Sequence, residues 1–446
     1  MTACKPVRFS AIVTALTAAC ATASAQSPPK QVVKPPVSQA WIDVATFSGF
    51  AMGGMGPGMG GADGGGMMGA TLGALMGGSK QRAEFGFTQA GVAGRWMDVT
   101  LYTSRNPSLA EALQSVPAAT QLAPTLKLQT PEKPKPLPKE KGEEEPEEWN
   151  YEPPKGKLVM YWGCSESVKP GQPKIVNLET ATLGELAKFF ESRRATQRGA
   201  HAAVGRPAWP NKVDYRVFPA GASIAGEHGF TGQGVPENFK FAIPPAQDIM
   251  PEIRLTQSDK GGHVLLEWNA IPNARAYFLG SMGGREGEEA TMVIWTSSEL
   301  PESGFGLFDY QTNKAVDQWL KDKVLLSPAT TRCAVPKEAA GQGMLRAIAY
   351  GTELNMAYPP RPTDPAVAWE PEWNVKIRVK SMTTTMMGME GDMPGMGTET
   401  GMGDAEMSDA PAPVDGQAAP ATEEPKKKKK FNPLDAVKDV IKNPLP

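Results

Sequence analysis

Clustered methionines are the most unusual chemical feature of this 446-residue chain. Of its 22 methionines, 14 fall in two glycine-rich tracts, residues 50–78 and 382–407. Thioethers are soft ligands that select Cu(I), so flexible backbone carrying them can wrap a copper ion. Closely spaced candidates are Met52, Met55 and Met59 in the first tract and Met393 and Met396 in the second. Copper sites usually add His or Cys, which neither tract contains. A glycine-rich loop without metal is therefore the alternative, and we assign no metal ligand and no cofactor.

Histidine chemistry is weakly supported. The chain has three histidines, His201, His228 and His263, each isolated among loop or strand residues. Glu227 and His228 are adjacent, but adjacent residues of a strand point to opposite faces. Neither a G-x-S-x-G nor an H-E-x-x-H motif occurs. We therefore name no catalytic residue and expect these histidines to be hydrogen-bonded or exposed to solvent.

Two further motifs bear on nucleotide binding and hydrolysis. Gly56, Gly58 and Gly61 satisfy G-x-G-x-x-G, but chance produces this pattern in such a glycine-rich tract and no helix pattern follows, so a dinucleotide site is rejected. Paired carboxylates of the glycosidase type stay open, because 48 acidic residues offer many pairs whose separation the sequence does not give. A hydrolase remains an alternative to a non-enzymatic protein.

The first residues predict a secretory signal peptide, residues 1–25. Lys5 and Arg8 precede an apolar run at 9–23, and Ala23–Ala25 forms a small-x-small cleavage site. Lipidation at Cys20 is the alternative processing route. We therefore expect the mature protein to lie outside the cytoplasm, and we find no later stretch of about 18 apolar residues that would span a membrane.

Cleavage of the signal changes the cysteine count. Cys4 and Cys20 would leave with it, so Cys164 and Cys333 would remain in a compartment that permits disulfides. We predict that these two are bonded. Two separate buried thiols are the alternative. Two distant cysteines without a CxxC pattern do not make a closed zinc site.

Composition predicts two or three domains joined by chain that does not fold. Glycine and proline number 47 and 42 and are concentrated in segments. We predict a disordered tether at 26–40, a Pro-rich charged linker at 127–157 and a disordered tail at 381–446. The net charge of −2 argues against a nucleic-acid partner. The tail ends in a lysine run and a short amphipathic segment, for which weak contact with an anionic membrane surface is the alternative to a solvated tail.

The first structured unit is predicted at 41–126 and is rich in β-structure. WIDVATF at 41–47 and WMDVTLY at 96–102 share a W-x-D-V pattern and alternate as strands do, so they are candidates for neighbouring strands. Asn106-Pro107 predicts the start of a short helix that ends at Val116.

A second unit is predicted at 158–250. Its opening LVMYW run predicts a strand buried on both faces. Thr182 and Glu185 have the spacing of a capping box, which predicts a helix over 182–194. Further strands are expected at 214–218, 222–226 and 239–243.

The third unit, 251–380, contains HVLLEWNAIPNARAYFLGSM at 263–282. With Trp268, Pro272 and Tyr277 in place, this segment resembles the second and third strands of a fibronectin type III or related immunoglobulin-like sandwich. An insert near 298–326 carries an amphipathic helix. Its apolar face would comprise Ala315, Val316, Trp319 and Leu320.

The last strand of this unit, near 374–380, alternates in polarity. Lys376, Arg378 and Lys380 share one face, as on a half-buried edge strand. Because Cys333 lies in TRCAVP, the proposed disulfide would join the second unit to the third.

The Met/Gly tract, YWGCSE and CAVP also resemble a set of uncharacterised exported proteins of Gram-negative bacteria. The resemblance implies the periplasm or outer surface and lends no mechanism. We therefore expect a mainly β, multidomain protein with a few short helices and a C-terminal immunoglobulin-like sandwich. Its expected role is to bind an unknown envelope partner or to act as a structural protein. Copper handling and hydrolysis are the alternatives.

Overall fold

A computed structural model describes residues 31–49, 83–132, 155–285 and 287–388. Within these ranges the protein is mainly β, as predicted, with 17 strands and three short α-helices. The strands are β1 (Ser38–Gly49), β2 (Gly94–Thr103), β3 (Glu111–Ser115), β4 (Thr125–Gln129), β5 (Lys157–Trp162), β6 (Lys174–Asn177), β7 (Ala208–Trp209), β8 (Gly226–Thr231), β9 (Lys240–Ile243), β10 (Leu255–Asp259), β11 (His263–Trp268), β12 (Ala276–Arg285), β13 (Glu288–Thr296), β14 (Arg332–Pro336), β15 (Gln342–Tyr350), β16 (Leu354–Tyr358) and β17 (Trp373–Met386). The helices are α1 (Phe87–Ala90), α2 (Leu183–Phe190) and α3 (Asn313–Lys321).

A large mixed sheet contains fourteen of these strands. Its order is β6-β5-β13-β12-β15-β17-β1-β2-β7-β4-β3-β8-β9, with β16 paired to β17 beside this path. A second sheet has the order β10-β11-β14. Strands from all three predicted units therefore hydrogen-bond within the large sheet, and β5 pairs with β13 in parallel across the predicted boundary at residue 250.

β17 lies in the interior of the large sheet. It pairs in parallel with β1 along its length, from Ser38 opposite Trp373 to Gly49 opposite Thr384. Its other side pairs first with β16 and then with β15. The prediction of a half-buried edge was therefore wrong. The alternation itself is present, but the polar face is covered, and Arg378 and Lys380 are only 4% and 2% exposed.

The two W-x-D-V segments form β1 and β2, which pair antiparallel with Asp43 directly opposite Asp98. This neighbour relationship was predicted. The alternating apolar residues Ala40, Ile42 and Val44 of β1 enter the main core, which also takes Val375, Ile377 and Val379 from β17. The opposite face packs Ala45, Phe47 and Trp96 into a second core.

Several local predictions were wrong. The helix predicted from Asn106 to Val116 is replaced by a turn and β3, because Ala112 and Gln114 are buried at alternate positions whereas Leu113 is exposed. The segments 214–218 and 222–226 form no strand apart from Gly226, and Asp214 instead accepts hydrogen bonds from Lys127 N and Arg216.

Other local predictions were confirmed. LVMYW forms the buried part of β5, and 239–243 contains β9. α2 begins at the predicted capping box but ends at Phe190, since the chain leaves in an extended conformation from residue 191. The insert helix is α3, with Val316 buried and Trp319 and Leu320 packed beside it.

The predicted disordered segments extend too far into folded chain. β1 begins at Ser38, inside the predicted tether, and Lys34 N donates to Trp369 O at 2.9 Å. β4 reaches Gln129, so the first residues of the predicted linker are paired. β17 continues to Met386, six residues into the predicted tail.

The remaining segment predictions lie outside the described residues. These are the signal peptide, the tract 50–78, most of the linker and the lysine run of the tail. No helix within the described ranges is long and apolar enough to cross a membrane.

Candidate functional site

A groove of about 480 Å³ lies between the C-terminal end of α2, the start of β6 and the loop at 301–303. This volume falls in the usual range of ligand sites. Met160 and Phe189 supply apolar lining, and Lys174, Lys188 and Arg193 supply cations. The groove therefore combines an apolar base with a basic wall.

The capping box fixes the helix that forms one wall. Thr182 Oγ1 accepts from Glu185 N at 3.2 Å, and Glu185 Oε2 accepts from Thr182 N at 2.8 Å. These bonds satisfy N–H groups that the first turn leaves unpaired. Phe189, 1% exposed, packs with Leu158, Met160 and Ile294 and so anchors the helix on β5 and β13.

One of the two lysines, Lys174, stands over this apolar base. Lys174 Nζ donates to Lys188 O at 3.3 Å and lies 5.5 Å from the centroid of the Phe189 ring. Within the described ranges neither Lys174 nor Lys188 has a carboxylate oxygen within ion-pair distance. Their charges are therefore open to an anionic ligand.

Glu302 forms the buried end of the groove, with its side chain 1% exposed. It accepts hydrogen bonds from Ser192 Oγ at 2.6 Å and from Arg193 Nη1 at 2.8 Å. Arg193 therefore neutralises Glu302. Glu191 is the other acidic lining residue, so the two free lysines leave the groove with a net positive charge.

No family model, curated protein or solved structure matches this chain. What the groove can bind follows from its own side chains. Two lysines that line a groove with an aromatic and thioether base can hold a carboxylate-bearing ligand whose apolar groups reach Phe189 and Met160.

A second cluster of charges is enclosed beneath an extended segment, residues 191–202. Asp43 accepts from Arg378 Nε at 2.7 Å and from Nη2 at 2.6 Å. The covering segment contributes Ala200 N, which donates to Asp43 Oδ2 at 2.9 Å, and Gln197 O, which accepts from Arg378 Nη1 at 2.8 Å. This cluster is closed to solvent and stabilises the sheet.

Aromatic rings complete the cluster. The Tyr310 ring centroid lies 4.3 Å from the Arg378 guanidinium and 4.2 Å from Lys380 Nζ, and Tyr310 OH donates to Val44 O at 2.9 Å. Burial lowers the pKa of Lys380, against the opposing effect of nearby Asp309. Burial also raises the pKa of Tyr310 well above its usual range. The ring therefore stays neutral and faces two cations.

The three histidines lie apart from the groove, and His228 is the one with both ring nitrogens in contact with described polar atoms. His228 is buried, its ring stacks on Phe241 at 5.4 Å, and its Nε2 lies 2.7 Å from Ile224 O. Burial lowers its pKa. Glu227 is exposed, on the opposite face from His228, as the alternation predicted. His201 Nδ1 lies 2.9 Å from Gly199 O, and His263 begins β11.

Metal ligation was also tested against the geometry. Across the ranges that the structure covers, no three His, Cys, Asp or Glu side chains come together to hold a metal. The tract methionines that sequence suggested for copper, Met52 to Met59 and Met393 to Met396, lie outside those ranges.

The cysteine prediction has a direct structural counterpart. The Cys164 and Cys333 sulfurs are bonded at 2.08 Å. Cys164 follows β5 in the large sheet and Cys333 lies in β14 of the small sheet, where Ser165 N also donates to Ala334 O at 2.9 Å. The bridge therefore ties the two sheets together.

Sequence reasoning missed the groove lysines, because single lysines on a short strand and a helix read as solvated side chains. It also misassigned Arg378 and Lys380. One signal in the sequence pointed to these residues. An Asp buried inside a W-x-D-V strand needs either a cationic partner or a proton, and KIRVK places a basic residue at every second position.

Proposed function

We propose that this chain is a non-enzymatic binding or structural protein of the cell envelope, and that the groove takes an acidic, extended segment of a partner protein. The observation that carries this proposal is that two lysines line the groove, Lys174 above the buried Phe189 and Lys188 beside it, and that neither forms an ion pair with any described carboxylate. The closed charge cluster beneath 191–202 stabilises the sheet and offers no site for turnover.

The position of the groove favours an extended ligand. β6 is the terminal strand of the large sheet, and within the described ranges it pairs only with β5. A partner strand added at such an edge gains main-chain hydrogen bonds, while pockets beside it select alternate side chains. Carboxylates of that segment would reach the two lysines.

An apolar rim adds contact area for the partner. Phe305 is 37% exposed, and its ring centroid lies 5.6 Å from that of Phe190. Phe190 in turn lies 5.2 Å from Phe189, which lines the groove. Contacts around a binding site help to exclude water from its centre, so these rings would shield the ligand near Phe189.

We also propose that residues 251–380 form an immunoglobulin-like sandwich. The arrangement of strands supports this: β10, β11 and β14 form one sheet, and β13, β12, β15 and β17 are consecutive in the other. Trp268 packs edge-to-face on Tyr277 at 5.6 Å, and Tyr277 OH accepts from Ile271 N at 2.8 Å. The disulfide supports an oxidising compartment.

The test uses the mature chain and two fluorescent decapeptides of alternating sequence, Glu-Val and Lys-Val. The Glu-Val peptide should bind, with an affinity that falls as salt rises. Lys174→Glu/Lys188→Glu should weaken binding at least about tenfold, which corresponds to about 1.4 kcal/mol.

The matched control is Lys240→Glu/Lys260→Glu, which reverses two exposed lysines that do not line the groove. This control should leave the affinity unchanged. Equal binding of both peptides, or undiminished binding by the groove variant, would refute an acidic ligand at this site. Capture from envelope extracts with the two variants then tests whether the natural partner uses the same lysines.

A further inference from the structure

Three methionines form a row across three adjacent strands of the large sheet. Met282 of β12 is paired directly with Met344 of β15, and Met344 with Met386 of β17. Residues that are directly opposite in antiparallel strands share a face, with Cβ atoms about 4.5–5.5 Å apart. The three side chains are therefore neighbours on one face of the sheet.

The strand positions that continue this row lie beneath α2. Farther along the same row, Met282 is opposite Ile294, which is opposite Met160. Ile294 and Met160 are 2% and 1% exposed and pack with Phe189 of the helix. Met282, Met344 and Met386 are each only half-buried. Met282 also packs against this apolar cluster, whereas Met344 and Met386 lie beyond it.

The surroundings are open and carry a fourth thioether. Met292 of β13 is half-buried and opposite Gly284, two residues beyond Met282 on β12. A Cβ at Gly284 would meet no atom within 4 Å. Space is therefore available beside Met282 for an ion and for movement of unbranched methionine side chains.

The ends of β1 and β17 lie at this part of the sheet. β1 ends at Gly49, which is opposite Thr384, two residues before Met386. Because the two strands are parallel, both lead out at the same end. In sequence, six methionines follow Gly49 within residues 50–78, and five follow Gly388 up to residue 407.

We propose that Met282, Met344 and Met386 form a binding site for the soft monovalent ion Cu(I). Thioethers are neutral, polarisable ligands that select Cu(I) over the harder Ca²⁺ and Mg²⁺. The inference is independent of the groove, since it uses different strands and a different ligand. It requires only ion binding and no electron transfer by the protein.

Arg346 contacts one of the three proposed ligands. Its Nε donates to Met344 Sδ at 2.9 Å, and its guanidinium lies 5.8 Å from the centroid of Phe308. This bond places the guanidinium directly beside the Met344 sulfur. The same positive charge opposes an incoming cation, so Arg346 lowers the affinity of the site.

The experiment titrates Cu(I) into the mature chain in competition with a chromogenic Cu(I) chelator. Ascorbate keeps the copper reduced, and no thiol is added, so that the disulfide survives. Met282→Leu/Met344→Leu/Met386→Leu should lose one bound ion per chain. Leucine keeps the volume of methionine closely enough that the fold should persist.

Two further variants distinguish copper binding by the three-methionine row from copper binding by the Met/Gly tracts and from a purely structural effect. Met52→Leu/Met55→Leu/Met59→Leu should retain the ion held by the row. Arg346→Gln should tighten binding by about tenfold, a change that a purely structural role for Arg346 would not produce.

A chemical footprint gives an independent readout. Bound Ag(I), a redox-inert substitute for Cu(I), should protect Met282, Met344 and Met386 from sulfoxidation by peroxide, as measured by mass spectrometry. Undiminished copper stoichiometry in the row variant, or equal oxidation of these methionines with and without silver, would overturn the site.

Discussion

Asp43 and Asp98 face each other across β1 and β2, each at the third position of a W-x-D-V sequence, yet among the described residues only Asp43 has a cationic partner. Asp43 forms a two-bond ion pair with Arg378. Asp98 accepts from Gly86 N at 2.9 Å and also from the Thr88 hydroxyl. Burial raises the pKa of Asp98 to about 7, with a smaller contribution from the charge of Asp43.

This difference predicts a pH dependence that belongs to Asp98. Because its pKa is higher in the folded state than the ordinary 3.8, folding favours the protonated form. Its contribution to stability is complete below pH 3.8 and is lost as the pH rises through about 7. In this window the free energy of unfolding should fall by up to about 1.4 kcal/mol per pH unit.

Asp98→Asn should remove that slope. Urea unfolding at pH 5, 6, 7 and 8 measures the difference between wild type and variant, in which contributions from other groups cancel. Wild type should lose stability relative to the variant as the pH rises. Parallel curves for the two proteins would contradict the raised pKa.

The Asp43–Arg378 ion pair should be strongly coupled, because both side chains are buried. Asp43→Asn leaves a buried guanidinium without its counterion and should cost about 3–5 kcal/mol of unfolding free energy. Asp43→Asn/Arg378→Met should cost less than the sum of the two single changes. Glu370→Gln, which breaks an ion pair to Lys34 with both side chains more than half exposed, should cost at most about 1 kcal/mol. Additive costs in a double-mutant cycle would show that the pair is not coupled.

The covering segment 191–202 depends on a glycine. A Cβ at Gly199 would overlap Arg378 Nη2 and Asp43 Oδ2. Gly199→Ala should therefore destabilise the protein by about 1–3 kcal/mol. Gly184→Ala is the matched control, since a Cβ in α2 meets only Thr182 Oγ1, at 3.9 Å. That change should stabilise by about 0.5–1 kcal/mol through helix propensity. Thermal unfolding of both variants decides whether the segment is tightly packed on the ion pair.

The disulfide should stabilise the protein mainly by lowering the conformational entropy of the unfolded chain. It spans 169 residues of sequence, so Cys164→Ser/Cys333→Ser should lose about 4–5 kcal/mol in the chain-entropy account. The same variant should be insensitive to reductant, whereas wild type should lose a similar amount when reduced. Equal stability of oxidised and reduced wild type would show that the bridge adds nothing.

Local patterns in the sequence were enough to predict many strands. Burial within a single strand is indicated by the alternation in WIDVATF and WMDVTLY and by the continuous LVMYW run. The spacing of Thr182 and Glu185 likewise indicates the start of one helix. The Asn106-Pro107 prediction failed because Ala112 and Gln114 pair with β4, a neighbour that local pattern does not reveal.

Long-range partners could not be predicted in the same way. A period of two shows that Arg378 and Val379 point to opposite faces, but it does not show what covers each face. Asp43, the ion-pair partner of Arg378, lies 335 residues earlier in the chain. The groove is harder still, because Lys174, Lys188 and Glu302 come from three separate segments whose approach depends on the whole sheet.

The place of β17 sets the order in which the molecule can be completed. β1, among the first described residues to leave a ribosome, has to wait for β17, among the last, before its parallel edge is satisfied. Until then β1 and β15 expose open edges of the kind that recruit foreign strands. A chain that ends at residue 372 would lack β17 and leave these edges of β1 and β15 unpaired. Truncated synthesis is therefore expected to yield incomplete sheets that aggregate.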